Sequence, residues 1–178
     1  IDSFTENGIQ LKSGEHLDAD IIVSATGLEL VMMGGAEIAV DGEIVDFAKL
    51  WTYKGLMVSD VPNMVSTFGY INASWTLRAD LTAEWVCRTL NHMTETNTTS
   101  VVPVVPANLQ DMPVRSWIAD FPAGYMQRMM HLFPKQGDQE PWINTQDFRR
   151  DRSLFNQPLA SDDALKFSTS EAPAAKSA

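Results

Sequence analysis

The 178-residue chain carries 13 basic and 23 acidic side chains, for a formal charge of −10, and 44% of its residues are hydrophobic. This size and composition suit one ordinary hydrophobic core, or one core with an irregular appendage. The negative charge argues against a nucleic-acid partner, because binding to a phosphate backbone relies on clustered Lys and Arg. The longest apolar stretches are far shorter than the roughly 18 to 20 residues that a membrane-spanning helix needs.

The first thirty residues predict β-structure. Two short segments, Ser3–Thr5 and Ile9–Leu11, flank Asn7-Gly8, a pair typical of a type I′ hairpin turn. The β-branched run at 19–27 ends in Ala-Thr-Gly and is typical of a strand buried on both faces of a parallel sheet. Parallel strands need crossover helices, and no helical pattern occurs here. We therefore expect the partners of this strand to precede Ile1, which is not a Met, so the chain is predicted to be a piece of a longer protein.

The middle of the chain predicts a strand, a turn and a long helix. Asp41-Gly42 indicates a second hairpin turn, and the segment 64–69 is predicted to be a strand. Apolar residues then recur at intervals of three and four, which predicts a helix of about twenty residues with one apolar face. Asn72 or Ser74 can cap its start. The predicted apolar face consists of Trp75, Ala79, Ala83, Val86, Leu90 and Met93.

The last third predicts shorter elements. The segment 95–100 is predicted to be a loop, and 101–105 an edge strand or an extended connector, because Pro103 cannot donate to a central ladder. A short helix is predicted at 124–132, and disorder is predicted from Ser168 to the end, where Ser, Ala and Pro dominate. Five aromatic residues are predicted to be a packing set, with a wall of a substrate access side as the alternative: Trp117, Phe121, Tyr125, Phe133 and Trp142.

Cysteine and histidine provide little chemistry. The single cysteine, Cys87, cannot form an internal disulfide, which favours a cytoplasmic protein. We expect it to be a small buried hydrophobic residue rather than a nucleophile. The three histidines, His16, His92 and His131, lack the spacing of metal ligands, so no metal site is predicted.

Three segments together resemble the flavin-containing and Baeyer-Villiger monooxygenases. The segment 20–27, Asp-Ile-Ile-Val-Ser-Ala-Thr-Gly, resembles the strand end where that family passes from its NADP domain back to its FAD domain. The segment 61–81, which contains Asn-Ala-Ser-Trp at 72–75, is similar to the FAD-domain return strand and helix of the bacterial ethionamide-activating group. The third, Pro-Lys-Gln-Gly at 134–137 followed by Pro-Trp at 141–142, resembles the C-terminal region of that group.

The resemblance implies an α/β fold, or α+β for an isolated piece, with incomplete Rossmann-like sheets from a flavoprotein with two dinucleotide-binding domains. Residues 1–28 would end the NADP-binding domain and 29–102 would form the C-terminal half of the FAD-binding domain. Residues 103–167 would be a family-specific C-terminal region, and 168–178 a disordered tail. The implied cofactors are FAD and NADPH, and the implied substrate is a small ketone, thioether or thioamide.

The start of the long helix is the predicted cofactor site. A helix N-terminus offers unpaired backbone N–H groups and a partial positive charge, which suits the negative charge that a flavin gains on reduction. By resemblance, the flavin edge would lie along 72–75, and Gly69 would permit close approach of the ring. No catalytic residue is assigned, and the candidate cofactor-binding residues are Thr26, Gly27, Gly69, Asn72, Ala73, Ser74 and Trp75.

Several family motifs are absent from the chain. It holds neither of the two G-x-G-x-x-G loops that would bind the dinucleotides, nor the family's histidine fingerprint or its active-site arginine. We therefore expect the chain alone to be inactive, and its partners to be the rest of its parent chain or a second copy. Two alternatives remain open: a non-catalytic module that binds a partner chain or itself, and a related flavin enzyme. The latter would be an N-hydroxylase or a disulfide reductase, and the reductase is disfavoured because no Cys-x-x-Cys occurs.

Overall fold

The computed structural model describes residues 1–118 and 121–169. Within them the chain mixes α-helices with small sheets, which confirms the α/β class in its general form, and each pair of strands is antiparallel. The helices are α1 (Trp75–Glu95), α2 (Gly124–Met129) and α3 (Phe148–Phe155). The strands are β1 (Ser3–Thr5), β2 (Gly8–Gln10), β3 (His16–Asp18), β4 (Ala39–Val40), β5 (Glu43–Ile44), β6 (Thr52–Tyr53), β7 (Met57–Val58), β8 (Ser100–Pro103), β9 (Arg115–Ser116), β10 (Lys135–Gln136) and β11 (Leu165–Ser168).

The first hairpin is confirmed, although its glycine acts differently from the prediction. Strands β1 and β2 pair with Phe4 opposite Ile9, and β3 adds a third strand that the sequence did not indicate. Gly8 is the first residue of β2, after the turn. A Cβ atom on Gly8 would lie 2.0 Å from the Leu17 carbonyl oxygen, so glycine is required there by the close approach of β3.

Two predicted strands are wrong within the described residues. The segment 19–27 forms no strand, and Ile21 and Val23 are 83% and 84% exposed. The segment 64–69 also lacks strand pairing, although Ser66 N–H donates to the Leu56 carbonyl at 2.9 Å. In both cases the residue types favour β-structure, but a strand also needs a neighbour to accept its backbone hydrogen bonds.

The second predicted turn is confirmed. Asp41 and Gly42 connect β4 to β5 with φ angles of 51° and 89°. Both values lie in the left-handed region that a type I′ turn requires at its two central positions. A similar turn at Lys54 and Gly55 joins β6 to β7.

Helix α1 is confirmed, but the predicted apolar face is wrong. Trp75 and Leu90, two members of that face, are 55% and 56% exposed. The buried face instead consists of Arg78, Leu81, Thr82, Trp85 and Thr89. It has the helical spacing of three and four, yet three of its five members are polar, so a count of apolar residues selects a neighbouring face, of which Val86 and Met93 are partly buried against the hydrophobic core.

The C-terminal elements agree with most of the sequence predictions. Helix α2 continues into a 3-10 turn at Met130–Leu132, which together match the predicted helix. Among the residues that the structure describes, strand β8 pairs only with β11, in a two-stranded sheet, as an edge strand would. The predicted disordered tail begins at Ser168, which belongs to β11, and its residues from 170 onward lie outside the described ranges.

The main core lies between α1, α3 and the β6–β7 hairpin. Trp85 and Trp142 are fully buried there, and both rings contact Tyr53, with centroid distances of 6.2 Å and 5.9 Å. A second hydrophobic cluster, formed around Trp117, Ile118, Met126 and Phe133, lies beside the start of α1. We call it the aromatic cluster. None of the helices in the described ranges combines the length and the apolar content needed to cross a bilayer.

Candidate functional site

The N-terminus of α1 is exposed and carries no side-chain cap. Ser74 occupies the N-cap position, as predicted, but its hydroxyl bonds to the Thr76 hydroxyl at 2.8 Å and not to the backbone. The residues at 72–77 are all exposed, and the first turn contains no acidic side chain. The first backbone N–H groups of a 21-residue helix are therefore accessible to an anionic group.

Gly69 makes room for the indole of Trp75. A Cβ atom at Gly69 would lie 2.1 Å from Trp75 Cγ, so any other residue would displace the ring. Phe68 packs against the same indole, with ring centroids 5.0 Å apart. The structure thus gives Gly69 a packing role within the chain, and close approach of a flavin ring to it stays a prediction.

Contacts between aromatic rings connect the loop before α1, which contains Phe68, to the C-terminal region. Phe68 contacts Trp117 edge-on at 4.7 Å, and Trp117 stacks on Phe133 at 5.2 Å. Phe121 and Tyr125 pack on the same aromatic cluster, which confirms the predicted packing set for four of its five members. The fifth, Trp142, belongs to the main core instead.

The Ala-Thr-Gly segment approaches the same cluster. Gly27 has a φ angle of 85°, and a Cβ atom there would lie 3.6 Å from the Tyr125 side chain. Tyr125 packs on the aromatic cluster, as do Phe68 and Ile71. The fold thus brings Gly27 and the loop before α1 to one hydrophobic cluster, while Thr26 is exposed beside it.

Buried charges lie under the first turns of α1. The Arg78 guanidinium, 1% exposed, donates to Asn144 Oδ1 at 2.6 Å and to the Lys54 carbonyl at 3.1 Å. Its Nη2 also lies 3.3 Å from the fully buried carboxylate of Asp151, which accepts from the Tyr70 hydroxyl at 2.9 Å. This buried network was missed from the sequence. The sequence did contain one signal for it. Arg78, Leu81 and Trp85 are spaced three and four positions apart, so a helix places the arginine on the same face as the two apolar residues.

Burial controls the protonation of this network. It lowers the pKa of Arg78, an effect that the Asp151 carboxylate opposes. It also raises the pKa of Tyr70, so that its hydroxyl stays a hydrogen-bond donor. A similar group of a carboxylate, a tyrosine and a basic residue lies at the main core, where Asp162 accepts from Tyr53 at 2.6 Å and from Lys54 at 2.8 Å. Burial raises the pKa of Tyr53 and lowers that of Lys54.

The loop before α1 is also held by Gln146. Its side-chain oxygen accepts from the Ile71 N–H at 2.9 Å, and its amide nitrogen faces the Gly69 carbonyl at 3.4 Å. The same nitrogen donates to Asn144 Oδ1 at 3.2 Å. Gln146 and Arg78 thus share Asn144, which joins the buried network to the loop.

Cys87 is exposed on α1, so the prediction that it is buried is wrong. It lies on the outer face of the helix, away from the main core. Among the histidines, the ring of His16 lies between Thr5 and Asp18 on the N-terminal sheet, and that of His92 contacts Phe167.

Comparison with known proteins identifies the relatives of the chain. No family model matches it, and no solved structure matches it. The chain is 44% identical over 173 residues to the FAD-containing monooxygenase EthA of Mycobacterium tuberculosis, which covers 97% of the chain and 35% of that protein. It is 45% identical over 168 residues to EthA of Mycolicibacterium smegmatis, and 44% identical over 167 residues to the "Probable FAD-binding monooxygenase AlmA" of Acinetobacter baylyi. Each of these two matches covers 94% of the chain and 33% of the relative.

These matches confirm the resemblance to the ethionamide-activating group of FAD-containing monooxygenases. They extend over almost the whole chain, beyond the three segments that first indicated it. The chain spans about a third of the length of the relatives that it matches.

Proposed function

We propose that the chain is the C-terminal part of an FAD-containing, NADPH-dependent monooxygenase of the cytoplasm. The observation that carries this proposal is the 44% identity, over 97% of the chain, to a protein named as an FAD-containing monooxygenase. The complete enzyme would insert one oxygen atom from O2 into a ketone, or oxidise a sulfur or nitrogen substrate. The division at residues 28, 102 and 167 into the end of an NADP domain, half of an FAD domain with Rossmann-like sheets, and a C-terminal region is part of the proposal.

The start of α1 fits a flavin. Bound FAD, reduced by NADPH, would supply the oxygen chemistry. The contribution of this chain is a fixed electrostatic environment, since the exposed N–H groups after Asn72 and the positive end of α1 favour negative charge on the ring edge. The lack of a side-chain cap and of an acidic residue in the first turn leaves that positive end unopposed. Gly69, Ala73, Ser74 and Trp75 complete this proposed edge, and Thr26 and Gly27 mark the proposed crossing from the NADP domain.

An absorption titration tests the cofactor proposal. We expect the full-length parent to bind one FAD and to show the visible flavin bands, and the 178-residue chain alone to bind none, because it lacks both dinucleotide loops. Tight flavin binding by the chain alone would contradict the expectation that the upstream loops are needed. A parent without flavin would favour a non-catalytic module.

Variants at the start of α1 test the site in the full-length parent. Gly69→Ala should displace Trp75, which lies 2.1 Å from the new Cβ, and Asn72→Asp should place a negative charge beside the proposed ring edge. Both should weaken FAD binding or lower the flavin reduction potential. A matched control is Asn108→Asp, an exposed asparagine in the short 3-10 turn after β8. If neither site variant changes flavin affinity or potential, the flavin edge is not at this helix.

The substrate class requires a turnover assay. NADPH oxidation by the parent should be accelerated by a ketone or a thioether, with one oxygenated product per NADPH consumed. An N-hydroxylase would respond to an amine instead, and a disulfide reductase would need no O2. These outcomes separate the related flavin enzymes from the monooxygenase proposed here.

A further inference from the structure

The backbone around Tyr70 is held from the C-terminal region by one side chain. The Gln146 amide accepts from the Ile71 N–H at 2.9 Å and faces the Gly69 carbonyl at 3.4 Å. It therefore bridges the two peptide groups that flank Tyr70. The Tyr70 hydroxyl is bound to Asp151, so both ends of this residue are fixed by the segment 144–151.

The backbone of Gln146 is in an uncommon conformation. Its φ angle is 51°, in the left-handed region that glycine and asparagine adopt more readily than glutamine does. The next residue, Asp147, caps α3 by accepting from the Arg150 N–H at 2.9 Å. The left-handed turn thus lies between the buried Asn144 and the start of α3, where it directs the side chain toward the loop before α1.

We propose that Gln146 is a positioning residue for the flavin edge. By fixing the carbonyl of Gly69 and the N–H of Ile71, it sets the path by which the loop enters Ser74 and the first turn of α1. The C-terminal region thereby tunes the environment of reduced flavin without touching the ring. This inference rests on the proposed flavin site, and it assigns to the C-terminal region a role in the redox properties of the cofactor.

The test compares equal truncations at two glutamines of the full-length parent. Gln146→Asn keeps an amide and tolerates the positive φ angle, but it is one methylene too short to reach the loop. Gln10→Asn is the matched control, because the half-buried Gln10 also donates from its amide to a backbone carbonyl, that of Glu15 at 3.1 Å, and this bond involves neither the loop nor Asn144. Gln146→Gly provides a second variant that removes the side chain and the backbone strain together.

Two measurements are made on each variant. The first is hydrogen exchange at residues 68–74 in protein stripped of cofactor, which should become about tenfold faster in both Gln146 variants and stay unchanged in the control. The second is the flavin reduction potential, which reports the affinity for reduced relative to oxidised flavin. That ratio should fall about threefold to tenfold in the Gln146 variants only, as expected for the loss of one or two hydrogen bonds.

The outcomes separate this inference from the proposed function. Faster exchange together with a changed potential, in the Gln146 variants alone, supports it. Unchanged exchange overturns it, as does faster exchange with an unaltered potential, which would make Gln146 a purely structural residue. If Gln10→Asn changes the potential equally, the effect is general destabilisation and the inference is wrong. Failure of the proposed function is distinct, because the parent would then bind no flavin or would be insensitive to the Gly69 and Asn72 variants.

Discussion

Replacing Arg78 by methionine should be among the most destabilising substitutions in the chain. Methionine approximates the length of the arginine stem but removes the guanidinium that pairs with the fully buried Asp151. Two further hydrogen bonds, to Asn144 Oδ1 and to the Lys54 carbonyl, are lost with it. Breaking a buried ion pair from one side typically costs about 3 to 5 kcal/mol, because the remaining charge stays buried without its partner.

Urea unfolding of the chain, followed by tryptophan fluorescence, measures this cost. Trp85 and Trp142 are fully buried and should report the loss of the main core. With a slope of about 2 kcal/mol per molar urea, the midpoint should fall by about 1.5 to 2.5 M. Adding Asp151→Asn to the arginine variant removes the orphaned charge, so the double variant should recover part of the loss.

Arg150→Met is the matched control for this substitution. Arg150 pairs with Glu140 at 2.7 Å, but the two side chains are 55% and 37% exposed. An exposed ion pair contributes about 1 kcal/mol or less, because water screens it. If Arg78→Met costs no more than Arg150→Met, the buried network does not stabilise the fold as argued here.

Three further predictions concern separate features. The pKa values of the buried Tyr53 and Tyr70 are raised above the ordinary 10.0, so the unfolded chain loses these protons first and the free energy of unfolding should fall with rising pH. Above pH 10.5, the ordinary pKa of Lys54, the two tyrosines should make the free energy of unfolding fall with rising pH, an effect that the lowered pKa of Arg78 opposes, and Tyr70→Phe should make the fall shallower in urea titrations. Gly69→Ala should cost about 1 to 3 kcal/mol by overpacking against Trp75, whereas Gly124→Ala, whose new Cβ would meet only a flexible arginine at 3.3 Å, should be close to neutral in thermal unfolding. Cys87 is exposed, so it should react with a thiol reagent without denaturant, and slow labelling of the folded chain would contradict the structure.

The sequence predicts elements whose stabilising contacts are local. The hairpin at Asp41-Gly42 is predicted because both residue types accept positive φ angles, and both residues have positive φ angles in the structure. Helix α1 is predicted by apolar residues spaced three and four apart. Hydrophobicity alone does not identify its buried face, because that face includes Arg78 and two threonines. Periodicity therefore identifies the helix, while its orientation depends on polar partners that lie elsewhere in the chain.

The contacts that support the candidate site could not be predicted in this way. Arg78 meets Lys54, Asn144 and Asp151, which lie 24, 66 and 73 positions away in the sequence. Gln146 reaches the loop before α1 over a separation of 75 residues. A single sequence contains no local pattern for such pairs, since each partner is an ordinary polar residue until the fold brings them together.

The surfaces where prediction and structure disagree share a physical cause. The run at 19–27 and the outer face of α1 both have the composition of buried segments, yet Ile21, Val23 and Leu90 are exposed. Exposed apolar groups of this size are unfavourable in water, and the proposal that the chain is part of a longer enzyme accounts for them if other parts of that enzyme cover them. The relatives are about three times as long as this chain, so the proposed parent contains the material to cover both surfaces. Under that proposal the Ile-Ile-Val run becomes a paired strand in the parent, and Cys87 on the outer face of α1 becomes slower to label there than in the chain alone.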